Sequence, residues 1–406
     1  MNFGNLTFVP NLYRRYQVLN FSYNNVVNIS HSNFFVNVSR NVRVIDLFNN
    51  GLVYIAPGAF RRLKRLKTLL LGGTNLLGYK DIPSLLSIPG LLNLDMSCLE
   101  LGPIPMDVFL GYQSTVQHLD LRWNHIGSFN MSVLQPLRNL RNVSFFRNQV
   151  YKLETAYLPS LEILNLDTNR LFEFPLTCSQ TGESMFPSLK ILRLDANMIY
   201  CIDDPVCLPN LTELHLRFNH FKYFKTNTFS RARFPSLSIL HIMQMENKIF
   251  AVEPFFINNS KVTIINFMLN VVDFSSNVVH NDAFGGCVNV KQLNLNGNSF
   301  QGVSDERFHR LLKPMKDSLK SLYLAEAQII QISPNTFSRL RNLTNLYLYG
   351  NSLFLVPDGA FDSLDSLKTL ILNDNIIATI SESTFSPQLR KRYVCAAFCS
   401  EEVCVF

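Results

Sequence analysis

Charge is scarce in this chain. Only 17% of its 406 residues are Asp, Glu, Lys or Arg, which excludes the charge-rich, weakly hydrophobic composition that keeps a chain disordered. The 37 basic against 30 acidic residues leave +7, too mild for this length to name a nucleic acid or a membrane as partner. Tryptophan occurs once, at Trp123, and no cysteine precedes Cys98. No run of about 18 apolar residues occurs, and the opening MNFGNLTFVPNLYRR lacks the basic start and the roughly 7–15 apolar residues of a secretory leader. No membrane contact is therefore expected from these residues. Catalytic signatures are missing too: there is no phosphate-binding glycine loop, no HExxH and no GxSxG. Neither enzyme activity nor a cofactor is expected.

Hydrophobic residues are abundant, at 47%, with 33 Phe. They follow a spacing that is neither 3.6 nor a simple 2. Leu343, Leu346, Leu348, Asn351 and Leu353 set a pattern that returns at Val116, Leu119, Leu121, Asn124 and Ile126. Fifteen units begin at Tyr16, Val42, Leu66, Leu91, Val116, Leu140, Leu161, Leu189, Leu211, Leu237, Leu269, Val290, Leu319, Leu343 and Leu367. The 351 residues from Tyr16 to Leu367 make fourteen steps of about 25, inside the roughly 20–29 window of leucine-rich repeats. The ninth position is Asn in eleven units; Thr74, Leu99, Met245 and Ala327 are the exceptions. Around Leu269 a second frame, Val262, Ile265, Phe267, Asn270 and Val272, fits nearly as well.

Within LxxLxL the alternation of period 2 predicts a short strand with leucines inward and the intervening residues solvated. Stacked units would pair these strands into one parallel sheet. The Asn is expected to satisfy backbone groups where the chain turns out of the strand. A Pro and a Phe, as in Val356-Pro357 followed by Phe361, should bring the chain back to the core. No unit buries its own leucines, so stability is a sum over neighbours. The expected fold is an α/β solenoid, a leucine-rich repeat horseshoe of about fifteen repeats with a parallel β-sheet on its concave face. Residues 1–15 would form an N-terminal flank, 16–387 the solenoid and 388–406 a Cys-containing tail.

The module LxxLxLxxNxLxxxPxxxFxxLxx resembles the extracellular class of leucine-rich repeat. Units of about 24 residues carrying Phe, with longer steps of 28, 32 and 29 after Leu161, Leu237 and Val290, resemble the ectodomain of a Toll-like receptor. That resemblance implies a receptor of innate immunity that binds a microbial ligand, nucleic acid among the candidates, and pairs with a second copy to signal. The family's capping cysteines before the first repeat and the CxC of its terminal cap are missing, as are its membrane span and signalling domain. The chain is read as a fragment, a truncated isoform or a soluble relative. Its expected place is extracellular or the endosomal lumen, membrane-anchored only in a longer form.

Nine sequons agree with a secretory route: Asn5, Asn20, Asn28, Asn37, Asn130, Asn142, Asn210, Asn258 and Asn342. Asn20 falls between the inward Leu19 and Phe21, so a glycan there would occupy the concave face. Cys178 and Cys207 lie seventeen and eighteen residues past their unit starts, a matching position one strand spacing apart that a disulfide can bridge. Cys201 competes for either partner. Cys287 stands where other units place an inward Leu and is expected to be a buried thiol. Cys395, Cys399 and Cys404 lack a fourth ligand nearby, so no metal is expected.

The exposed columns localise the surface chemistry. From Val116 to Leu211 they hold Arg122, Trp123, His125, Phe146, Arg147, Arg193, His215, Arg217, Phe218 and His220, with His118 and His241 flanking. Arg for phosphate oxygens, aromatics for stacking on bases and His for pH control form a coherent anion-binding strip. Taken as exposed, His125, His215 and His220 would gain charge between about pH 7.5 and about pH 5.5, so binding should tighten in acid. Ordinary solvated surface carries the same residue types. Tyr323, Tyr347 and Tyr349, with Glu326 and Asp374, have the character of a protein contact and are candidates for dimerisation. Two functions follow: a pattern-recognition ectodomain, or a secreted or cell-surface adhesion protein of the same repeat class that binds a protein partner.

Overall fold

The computed structural model describes residues 16–29, 35, 41–73, 78–111, 114–380 and 384. The flank before Tyr16, the tail 388–406 and the predicted sites Asn5, Asn37, Cys395, Cys399 and Cys404 lie outside the described residues. The chain divides into two compact units: unit 1 within Met1–Asn197 and Pro205–Pro209, unit 2 within Met198–Asp204 and Asn210–Phe406.

Each LxxLxL phrase builds a three-residue strand. In unit 1 these are β1 (Val18–Asn20), β2 (Val44–Asp46), β3 (Thr68–Leu70), β4 (Asn93–Asp95), β5 (His118–Asp120), β6 (Asn142–Ser144), β7 (Ile163–Asn165) and β8 (Ile191–Arg193). Unit 2 holds β9 (Glu213–His215), β10 (Ile239–His241), β11 (Ile264–Asn266), β12 (Gln292–Asn294), β13 (Ser321–Tyr323), β14 (Asn345–Tyr347) and β15 (Thr369–Ile371). Within each unit neighbouring strands pair in parallel with identical repeat positions opposed, as Leu94, Leu119, Val143, Leu164 and Leu192 are. Those five are 1–2% exposed, and each fully buried aliphatic side chain contributes roughly 1.5–3 kcal/mol. The structure is a parallel-sheet solenoid of the leucine-rich repeat class, with fifteen repeat strands among the described residues.

The repeat Asn is the polar spine of that core. Asn124 is fully buried; its Nδ2 donates to the carbonyls of Met96 (2.8 Å) and Leu121 (3.0 Å), and its Oδ1 accepts from the Leu99 amide at 2.9 Å. Asn351 repeats the arrangement with Leu324, Leu348 and Ala327. One side chain thus satisfies backbone groups of two adjacent repeats.

A second regularity lies just before that Asn. The eighth position is left-handed in all fifteen repeats, from Tyr23 (φ 56°) through Trp123 (57°) to Asp374 (53°), and is glycine only at Gly73, Gly297 and Gly350. The turn swings the next residue's amide inward, and the strained residue donates its own N–H to the following repeat, as Trp123 does to the Phe146 carbonyl at 3.1 Å. This column corrects the frame near Leu269. Leu269 has φ 57°, Ile265 stands in register between Leu240 and Leu293, and Asn270 is 3% exposed. The unit therefore begins at Val262. The steps of 32 and 21 on either side of Leu269 become 25 and 28, from 237 to 262 and from 262 to 290.

Opposite the strands, phenylalanines close the core. In unit 2 their rings run from Phe224 through Phe256 to Phe284, and from Phe274 through Phe300, Phe308 and Phe337 to Phe361, at centroid separations of 4.5–6.3 Å. The long step after Val290 makes room for a helix, Asp305–Leu312, capped by Ser304 and burying Phe308, Leu311 and Leu312.

Candidate ligand-binding surface

The structure distributes the predicted strip over both units. In unit 1, Arg147 is the centre of an aromatic cluster at the turns that follow β5 and β6. Its guanidinium lies 4.7 Å from the Trp123 ring centroid and 5.6 Å from that of Phe146. Trp123 is 46% exposed, so a face or edge of the indole remains open to a ligand. The left-handed backbone at Trp123 and Arg147 aims both side chains outward from adjacent repeats. Beside them, exposed His125 accepts at Nδ1 from the Gln149 side-chain amide Nε2 at 3.1 Å.

The remaining arginines of unit 1 are less available than the columns implied. Arg122 pairs with Asp120 at 3.1 Å and approaches Asp95 at 3.9 Å; Arg193 lies 3.8 Å from Asp167. These side chains line a groove of about 380 Å³ on the strand face together with His118, Asp120, Asn142 and Asn165. Burial pushes the Asp120 carboxyl above the ordinary carboxylate range, against the opposing pull of the Arg122 amide and guanidinium. Asn142, a predicted glycan acceptor, stands inside this groove between His118 and Ile163 on the adjacent strands.

In unit 2 the picture departs further from expectation. His215 is not an exposed imidazole: it is 6% exposed, stacked on His241 at 4.4 Å, with Nε2 2.6 Å from Glu213 Oε1. Three residues two apart, 213, 215 and 217, share the outward side of β9 and its extension, and the columns considered from sequence omitted the first of them. Arg217, Phe218 and His220 are half-buried, and Phe218 occupies the left-handed turn position. Asp167 and Asp195, at solvent-side positions of the repeat pattern, are buried at 7% and 5% exposure. Period-2 alternation was the available signal for Glu213, Asp95 and Asn142.

Elsewhere in unit 2, Tyr323 and Tyr347 stack at 4.3 Å with planes 2° apart, half-buried like Tyr349. Burial chiefly raises the Tyr323 hydroxyl above the ordinary phenol range. Cys178 and Cys207 are joined, with Cα atoms 5.0 Å apart. Cys98, Cys201 and Cys287 are free thiols, and Cys287 is fully buried.

Comparison with known proteins bears on the fold. A family model described as leucine rich repeat matches residues 341–390. Mouse podocan is 26% identical over 355 residues, covering 84% of this chain and 53% of podocan. Human mimecan is 30% identical over 124 residues, 25% of this chain and 39% of mimecan. Among solved structures, Toll in the Toll–Spatzle complex of Drosophila superposes with a TM-score of 0.69 and 16% identity over 90% of this chain and 49% of the Toll chain. The chain has the leucine-rich repeat fold. It spans about half the length of podocan and of that Toll chain. No helix among the described residues is long and apolar enough to cross a membrane.

Proposed function

We propose that the chain is the ligand-binding part of a Toll-type receptor of innate immunity. It acts without catalysis, outside the cell or in the endosomal lumen, and takes a microbial macromolecule on the exposed turn positions of unit 1. The Arg147–Trp123–Phe146 cluster carries this reading: a guanidinium within 4.7 and 5.6 Å of two aromatic ring centroids at the surface suits an anionic ligand with planar groups. Single-stranded nucleic acid fits that description, since bases stack on aromatics and phosphates pair with Arg. The superposition on Toll supports the fold such a receptor needs, and pairing of two copies through the Tyr323–Tyr347 face belongs to the same reading.

A second reading, a secreted or cell-surface adhesion protein, is favoured by the alignment with podocan over 84% of the chain. One experiment separates them. The chain is fused to a membrane span and a Toll-type signalling domain, and cells are exposed to single-stranded RNA, DNA and bacterial envelope fractions. The receptor reading expects a reporter response that Trp123→Ala with Arg147→Ala abolishes. Silence towards every fraction, with binding to a cell-surface or matrix protein intact, moves the adhesion reading ahead.

A further inference from the structure

Apart from the aromatic cluster, two strands of unit 2 bring three metal-ligating side chains together. β9 contributes Glu213 and His215, two residues apart and so on one face, and β10 contributes His241, whose Cα is paired with that of His215. Glu213 Oε1 lies 2.6 Å from His215 Nε2 and 3.9 Å from His241 Nε2. One ligating atom from each residue falls within 4.8 Å of the other two.

Tetrahedral zinc holds imidazole nitrogen at about 2.0–2.1 Å and carboxylate oxygen at about 2.0–2.2 Å, which sets neighbouring ligands about 3.4 Å apart. The two observed separations bracket that value, so a sub-ångström shift of the Glu213 carboxylate equalises them. The His241 ring is anchored at one end, its Nδ1 2.9 Å from the Asn266 side-chain amide on β11; because it stacks on His215 with planes 22° apart, one imidazole must rotate for both Nε2 atoms to face a single cation. An outer partner of this kind holds a ligating imidazole in place and fixes its tautomer. With a cation on Nε2 the ring proton sits on Nδ1, and Asn266 turns its amide oxygen to accept it. Side-chain exposure rises from 7% at His215 to 20% at His241 and 24% at Glu213, so the group is closed on the His215 side and open towards solvent.

We propose that Glu213, His215 and His241 bind one divalent cation of the zinc class. Three protein ligands leave a fourth coordination position, and its solvent-facing side makes that position available to a donor atom on an approaching macromolecule. The inference does not depend on which ligand the aromatic cluster takes.

The full chain, its accessible thiols alkylated so that cysteines cannot compete, is stripped with a chelator and titrated calorimetrically with zinc chloride at neutral pH. Saturable binding of one equivalent is expected, with affinity at least about ten-fold lower in His241→Asn and in Glu213→Gln. His280→Ala, an exposed imidazole of the same unit, should match the parent. His215 is buried and its loss can unfold the strand, so the two more exposed ligands carry the test. Absence of saturable binding, or equal affinity in the parent, His241→Asn and Glu213→Gln, overturns the proposal and leaves the trio as a histidine–carboxylate hydrogen-bonded group.

Discussion

The Asn at the ninth position of eleven of the fifteen repeats can pair buried backbone groups that an apolar side chain leaves unpaired. Asn124 satisfies two carbonyls and an amide that its removal would leave buried, and each orphaned group costs roughly 1–3 kcal/mol. Asn124→Ala is expected to destabilise unit 1 by about 3 kcal/mol in urea unfolding, whereas exposed Asn25 should tolerate the same change. The left-handed column supplies a test of opposite sign. Thr168 holds φ 57°, a conformation costing a side-chain-bearing residue about 1–2 kcal/mol and a β-branched one more. Thr168→Gly should therefore stabilise unit 1 by about 0.5–1 kcal/mol even after the entropy cost of glycine; a loss of stability would show that the strain argument is wrong. Asp120 gives the pH dependence. Its carboxyl is raised by burial, so its favourable share of stability is present below the ordinary carboxylate pKa of about 3.9 and is lost as pH rises through the higher folded value. Asp120→Asn, which keeps an oxygen for the Arg122 amide, is expected to raise the thermal midpoint at pH 7 and to leave it unchanged near pH 3.

At the scale of elements, strands of three residues pair because neighbours on both sides repeat the same register, and irregular steps are tolerated where something else closes them. The 28-residue step after Leu161 carries the loop that places Cys178 against Cys207 of the next repeat, both within unit 1. Closing a loop of 29 residues corresponds to about 3–4 kcal/mol in the chain-entropy account. Cys178→Ser with Cys207→Ser should lower the stability of unit 1 by about that amount, and non-reducing peptide mapping of secreted protein should recover the crosslink. Cys287 should resist alkylation in the native state at pH 8 and react once the chain is unfolded, because burial raises its thiol far above the ordinary range and hides it. The helix Asp305–Leu312 was not expected from spacing alone. Its DERFHRLL buries Phe308, Leu311 and Leu312, a helical spacing that the leucine-rich frame on either side obscured.

For the whole molecule, glycans at the predicted sequons would decide which faces a partner could reach. Asn142 stands in the groove with Arg122 and Arg193, and Asn20 is exposed on β1; sugar at Asn142 would fill the groove and leave the turn cluster of Trp123, Phe146 and Arg147 as the open surface of unit 1. Mass mapping of secreted chain is expected to find glycan at exposed Asn210 and Asn258. If Asn142 is also occupied, Asn142→Gln should leave a ligand of the Trp123 cluster bound with unchanged affinity; a large gain would move the site into the groove.

Period and direction were legible in the residues themselves, and so was the frame of every unit but the one around Leu269. LxxLxL spacing alone determines strands with leucines inward, because side-chain alternation is a local property of extended backbone, and the matched offsets of Cys178 and Cys207 followed from repeat stacking. What required the tertiary structure was each case in which a neighbouring repeat changes a residue's surroundings. Leu269 and Val262 fit the pattern equally until the strand register and the left-handed column placed Leu269 in the turn. His215 reads as a solvated position, yet His241 on the adjacent strand covers it and Glu213 bonds to it. Arg122 and Arg193 read as free cations, yet carboxylates on their own or an adjacent strand or turn meet them. Column position determines which way a side chain points; only the folded chain determines what waits there, since His241 and Asp167 reach His215 and Arg193 from the adjacent repeat, and packing decides whether a neighbour two residues away, Glu213 or Asp120, turns onto its partner.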